Sequence, residues 1–151
     1  MIKLITVGSI KEKYLKDAID EYRKRLSKYT NLEIIEIKDE GLVEEEKAKK
    51  LEAEKIEKYL NNKEYIISLE IEGKELTSPE LAEKIRTIQI ENSNITFIIG
   101  GSYGLAESIK EKANFHLSFS KLTFPHQLFR VLLLEQIYRS FKIMNNENYH
   151  K

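Results

Sequence analysis

An apolar, β-branched run, Ile95–Ile99, stops abruptly at Gly100-Gly101-Ser102-Tyr103-Gly104. A strand apolar at all but one position, Thr96, reads as buried on both faces, which calls for a parallel sheet with helices over each side. Open α/β sheets bind ligands at the carboxyl ends of such strands. Three glycines in five residues let the chain turn sharply and let a ligand approach the main chain. The segment is neither Gly-x-Gly-x-x-Gly nor a phosphate-binding loop ending in Gly-Lys-Ser/Thr. Taken alone, it also fits a plain strand-to-helix turn.

The rest of the chain alternates in the way this strand requires. Strands are expected at Lys3–Val7, Leu32–Ile37, Tyr65–Leu69, Ile95–Ile99 and Phe115–Leu117. Tyr14–Tyr29 carries Leu15, Ile19, Tyr22, Leu26 and Tyr29 at helical spacing. Val43–Leu60 is a charged helix with a narrow apolar face (Ala48, Leu51, the Lys55 stem and Tyr59). Glu70–Lys74 reads as a turn. Thr77 or Ser78 then caps a helix with Pro79 in its first turn and Glu80 placed for a capping box. Leu105–Ala113 and His126–Met144 complete five helices. Five strands alternating with five helices predict a mostly parallel sheet covered on both faces, and residues 1–151 fit one domain.

A second shaped segment follows the fifth strand. Ser118–Pro125 is extended and hydroxyl-rich, and Pro125 biases Phe124 toward extended geometry. Phe119, Leu122 and Phe124 offer an apolar wall, and the main chain between them can pair with the edge of a planar heterocycle. Ser120 and Thr123 add hydroxyls, although a loop packed under the last helix would look the same. That helix is apolar nearly all round from Leu128 to Leu134, so it buries more than one face and predicts a two-fold subunit interface. Glu135 and Arg139 stand at i,i+4, which fits a helical ion pair. Arg130 or Arg139 facing a phosphate backbone fits equally. The terminal Tyr149-His150-Lys151 reads as a frayed end, or as an aromatic, an imidazole and a cation that stack on a base and touch phosphate.

Composition narrows the chemistry. With no cysteine there is no disulfide, thiolate metal site or thiol nucleophile. The three histidines, His116, His126 and His150, share no ligand spacing, so no metal is expected. No apolar run approaches a membrane span, and the first residues read directly as a strand, which predicts a cytoplasmic protein. Net charge is zero, yet Lys11–Lys28 holds seven basic against four acidic residues and the stretch from Lys121 onward is also basic. An uneven distribution of this kind creates an anion-binding face on a neutral protein.

Taken together, Gly100-Gly101-Ser-x-Gly104, Leu117-Ser-Phe-Ser-Lys-Leu-Thr-Phe-Pro-His126, Arg130 with Glu135-Gln-x-Tyr-Arg139, and the terminal Tyr149-His150-Lys151 resemble the RlmH family of SPOUT methyltransferases. Leu4-x-x-Val-Gly8, Lys11–Tyr14 and Glu21-Tyr22-x-Lys-Arg25 extend the resemblance over essentially the whole chain. It implies a SPOUT-type α/β fold of five to six strands with a trefoil knot near the carboxyl terminus, and a homodimer using S-adenosylmethionine. It implies a 23S rRNA substrate, methylated at N3 of a pseudouridine in the helix 69 loop of the assembled ribosome. Matched by residue, Leu69, Gly100, Phe119, Ser120, Lys121, Leu122, Thr123 and Phe124 would line the cofactor site. Arg130, Arg139, Tyr149 and Lys151 would meet RNA, and His150 would take the departing proton. Asn148 stands where many relatives have proline, and the region near Glu40–Lys50 is shorter than in some, which touches RNA docking only.

Methyl transfer to a weakly acidic imide nitrogen needs positioning and loss of a proton, and no covalent nucleophile, metal or redox centre. Two other classes share the scaffold. A cofactor-free ribosome- or RNA-binding module would give no heat with S-adenosylmethionine. A nucleotide-cofactor enzyme at the Gly100 turn would place an acidic residue about 20 positions on, where this chain has Lys121.

Overall fold

The computed structural model describes all residues from Met1 to Lys151. Strand β1 (Ile2–Val7) and strand β4 (Ile95–Ile99) are buried at every position, as their mainly apolar sequences favour, and Lys3, Thr6 and Thr96 are the buried polar residues among them. With β2 (Leu32–Ile37), β3 (Tyr65–Glu75) and β5 (Phe115–Ser118) they form one sheet of order β2-β1-β4-β3-β5. Every pairing is parallel, so all five carboxyl ends lie along one edge.

The pleat sends alternate residues to two separate cores. Ile2, Leu4, Ile67, Phe97 and Ile99 belong to a cluster of 18 buried residues. Helices α1 (Lys13–Leu26), α3 (Ser78–Glu91) and α5 (His126–Met144) supply its other wall through Ile19, Ile85 and Leu134. Ile5, Val7, Ile66 and Ile98 join a cluster of nine on the opposite face, under α2 (Glu45–Glu57) and α4 (Glu107–Lys112). The sheet is therefore covered on both sides, as the alternation of elements predicts.

Two local expectations are corrected. Glu70–Lys74 is not a turn: β3 runs on to Glu75, with an irregularity against β5 between Leu69 and Lys74. A Cβ on Gly73 would stand 2.8 Å from the His116 carbonyl oxygen, so its glycine serves close backbone approach within the sheet. The buried face of α2 is Ala48, Glu52, Ala53 and Ile56, while Tyr59 is exposed. The buried face thus lies about one residue round the helix from the expected stripe through Leu51 and Tyr59. At α3 the capping box is Thr77 with Glu80: the Glu80 amide donates to the Thr77 hydroxyl at 3.2 Å and the Thr77 amide to the Glu80 carboxylate at 2.8 Å.

Candidate active site

The carboxyl ends of the adjacent strands β4, β3 and β5 open into a cavity of about 380 Å³. The turn after β4 forms one wall. It closes on itself through the Gly104 amide donating to the Gly101 carbonyl at 3.0 Å, and Gly104 takes φ +82, a conformation that favours glycine. A Cβ on Gly100 would sit 2.7 Å from the Gly104 carbonyl carbon, so that strand exit admits no side chain. The glycines at Gly100 and Gly104 thus satisfy the turn, while Gly100–Leu105 also lines the cavity.

The segment after β5 forms the facing wall. The Leu122 amide donates to the Ser120 hydroxyl at 3.0 Å and the Ser118 hydroxyl to the Ser120 carbonyl at 3.2 Å, fixing a tight bend. Phe119 meets Phe129 edge-on at 4.9 Å, and Phe124 stacks over Phe129 at 6.0 Å, which seats the bend on the first turns of α5. Seven of the eight residues expected at a cofactor site line this cavity: Leu69, Gly100, Phe119, Ser120, Leu122, Thr123 and Phe124. Lys121 is the exception, because the Ser120-centred bend leaves it exposed and outside the lining.

Sequence reasoning missed Glu70, Ile71, Glu72 and Phe129, which also line the cavity. The first three follow from the unexpected extension of β3, and Phe129 from the stacking on the loop. Glu70 accepts from the Ser68 hydroxyl and pairs with His116. Ser68 and Glu70 both meet the same ring nitrogen, Nδ1 of His116, so this trio cannot relay a proton as a hydrolase triad would. It ties β3 to β5 beside the cavity.

The expected RNA residues divide. Arg130 is 2% exposed and bonds inward, donating to the Val7 carbonyl at 3.1 Å, the Gly8 carbonyl at 2.8 Å and Glu36 at 2.8 Å. Burial lowers its pKa against the pull of Glu36. Arg130 is thus a structural clamp holding α5 to the ends of β1 and β2, and its expected phosphate contact is corrected. Arg139 forms the helical pair, two hydrogen bonds to Glu135 at 3.1 and 3.2 Å, and lies 4.7 Å over the Tyr149 ring.

The terminus does not fray. The Tyr149 hydroxyl donates to Glu135 at 2.8 Å and its ring meets Tyr138 edge-on at 5.1 Å. Burial, with Glu135 beside it, pushes the Tyr149 phenol up to about 12. Glu147 accepts from Tyr29 at 2.7 Å and Lys142 at 2.8 Å, and these partners hold its carboxyl below the usual range. His150 is exposed and reaches Arg139 Nη1 at 3.1 Å, with Lys151 exposed beyond it. Arg139 follows Phe129 by ten residues of α5, about 15 Å of helix rise. The tail and the cavity of one chain therefore stand apart.

The description "Predicted SPOUT methyltransferase" belongs to a family model that matches residues 1–150 of this chain. A Methanococcus vannielii chain is 59% identical over 157 residues, covering 99% of each. "Ribosomal RNA large subunit methyltransferase H" of Clostridium botulinum (strain Kyoto / Type A2) is 52% identical with the same coverage. The solved structure of a "probable methylase family protein" from Haemophilus influenzae Rd KW20 superposes with a TM-score of 0.59 at 16% identity. That match covers 99% of this chain and 70% of the other, and carries the fold alone. A glycine-walled cavity at the strand ends, set in a fold shared along the full chain with these relatives, makes the chain a member of the SPOUT methyltransferase family, in its RlmH branch.

Proposed function

We propose that the chain transfers the methyl group of S-adenosylmethionine to N3 of a pseudouridine in the helix 69 loop of 23S rRNA, on the assembled ribosome. The observation that carries this reading is the cavity between the Gly100 turn and the Phe119–Phe124 bend. Its size lies within the usual range for small-molecule sites. The name of the Clostridium botulinum relative supports large-subunit rRNA as the substrate.

The residues present fit the cofactor. Gly100, Gly101 and Gly104 carry no side chain and let a planar heterocycle approach the main chain, and Leu69, Leu117 and Phe119 supply apolar contact. Glu70 and Glu72 add carboxylates to the lining, which would favour a ligand carrying positive charge. The cofactor, when bound, supplies an activated methyl group on sulfur. The chain's residues hold that ligand, exclude water with Phe119, Phe124 and Phe129, and orient it toward the incoming base.

A pseudouridine N3–H must lose its proton as the N–C bond forms, and the proposed acceptor is His150. Within one chain His150 bonds Arg139, far from the cavity. In our reading the enzyme is therefore a homodimer in which the tail of one protomer serves the cavity of the other. Val131 and Leu132 remain only half-buried on α5, and Leu128 is 39% exposed, which leaves an apolar face for the partner. Arg139, Tyr149 and Lys151 take the RNA contacts in this arrangement. The SPOUT family further implies a trefoil knot threading the segment that carries these loops, and a cytoplasmic location follows from a ribosomal substrate. No helix is long and apolar enough to cross a membrane.

Mass spectrometry of helix 69 tests the reading. Ribosomes from cells lacking this protein should carry unmethylated pseudouridine and regain one methyl group when given purified protein and S-adenosylmethionine. Ribosomes that remain unchanged would refute it. A cofactor-free binding module predicts ribosome binding with no methyl gained.

A further inference from the structure

A second cleft, of about 560 Å³, lies at the carboxyl ends of β1 and β2. It adjoins the methyl-donor cavity, and the two share Gly101 and His126 in their linings. The carboxyl edge of the sheet therefore presents two compartments side by side. One has apolar and glycine walls, while the other is lined by Ser9, Lys11, Lys38, His126 and Arg130.

The charges in the second compartment are unequal in their freedom. Of its carboxylates, Glu36 is paired with Arg130 at 2.8 Å and accepts from the Ile10 amide at 3.1 Å, while Asp39 is an exposed carboxylate that accepts one bond, from the Gly41 amide at 2.7 Å. Lys11 and Lys38 are exposed and take part in none of the chain's ion pairs, and Lys38 is only a minor partner, behind Lys55, in lowering the pKa of the nearby Glu40 carboxyl. The loop carrying Lys11 is fixed by its own amide donating to Gln127 of α5 at 3.1 Å, which holds it beside the shared His126. The cleft thus combines two exposed ammonium groups outside the chain's ion pairs with a floor whose polar groups are largely satisfied. Flexible point charges of this kind suit phosphodiester oxygens, which require no fixed fork.

We propose that this cleft is a subsite for the RNA backbone flanking the target nucleotide, with Lys11 and Lys38 each meeting a phosphate. A base entering the donor cavity brings its neighbouring sugar-phosphate to the rim, and the shared Gly101–His126 border puts the cleft one compartment away. The inference rests on the rRNA methyltransferase reading and adds the place where the strand runs. It also explains why Arg130 is spent inward: the guanidinium builds the floor and the lysines meet the ligand.

Steady-state methylation of ribosomes by the Lys11→Glu/Lys38→Glu variant tests it. The expected result is a KM for ribosomes raised about tenfold or more, with the slope of log KM against log salt reduced by about 1–2. Binding of S-adenosylhomocysteine by calorimetry and the thermal midpoint should stay at wild-type values. A Lys47→Glu/Lys50→Glu variant makes the same charge change on exposed residues of α2, outside the cleft, and should leave KM within about twofold. Equal effects from the two variants, an unchanged KM in the first, or loss of S-adenosylhomocysteine binding in the first would each overturn the proposal. Wild-type protein that methylates no ribosomes would instead overturn the functional reading beneath it.

Discussion

Replacing Arg130 by alanine separates a clamp from an RNA contact. The guanidinium satisfies two main-chain carbonyls, those of Val7 and Gly8, and pairs with Glu36. Its removal leaves the buried Val7 carbonyl without this donor, at about 1–3 kcal/mol, while the half-buried Gly8 carbonyl loses less because it can rehydrate. Glu36 is 44% exposed and rehydrates, so its loss adds little. The void left by a side chain that was 2% exposed adds a further cost, offset because the Arg130 Nε was itself buried without a partner. The sum is about 3 kcal/mol. For a domain of this size each kcal/mol moves the melting midpoint by about 2–4 °C, so Arg130→Ala should melt about 6–12 °C lower. Arg130→Met refills the space without the hydrogen bonds and should recover part of the loss. Differential scanning calorimetry reads both. A midpoint within about 1 °C of wild type in Arg130→Ala, together with weakened ribosome binding, would refute the clamp and restore the phosphate contact.

Gly100→Ala places a methyl group 2.7 Å from the Gly104 carbonyl carbon, so the turn must open; calorimetry should show S-adenosylmethionine affinity reduced more than about tenfold, and unchanged affinity would remove Gly100 from the site. Deleting Tyr149–Lys151 should lower methyl transfer to ribosomes by about a hundredfold while leaving cofactor affinity intact, since the tail does not line the cavity of its own chain; a wild-type rate would end the tail's assignment. Burial raises the pKa of Glu52, outweighing the hydrogen bond from the Glu40 amide, so the folded state holds that proton more tightly than the unfolded chain does. Stability from this group is therefore lost as pH rises above the ordinary carboxylate range. Urea unfolding of Glu52→Gln should show a gain over wild type at pH 8 that shrinks toward pH 4.5; a gain independent of pH would contradict the argument.

How much of this was legible in the residues depends on the range of the signal. Mainly apolar, β-branched runs at Ile2–Val7 and Ile95–Ile99 encode central parallel strands, and the Thr77–Glu80 spacing encodes a helix start. The cavity lining was readable because its main determinants, three glycines and a proline-stopped loop, are local. Arg130 was misread because its partners at Val7, Gly8 and Glu36 are remote in sequence and become neighbours only through the β2-β1-β4 order. The continuation of β3 past Leu69 was hidden because Glu70-Ile71-Glu72-Gly73-Lys74 has the composition of a turn, and only its pairing to Lys74 and Glu75 from β5 makes it strand. The docked tail was hidden for the same reason, since Tyr149 finds Glu135 and Tyr138 across a reversal of the chain.

The most direct measurement is a crystal structure of the protein soaked with S-adenosylhomocysteine. The account predicts the ligand between the Gly100–Leu105 turn and the Phe119–Phe124 bend, with main-chain groups of both segments bonded to its heterocycle. Ligand density elsewhere on the molecule, with this cavity closed by the chain's own side chains, would contradict it.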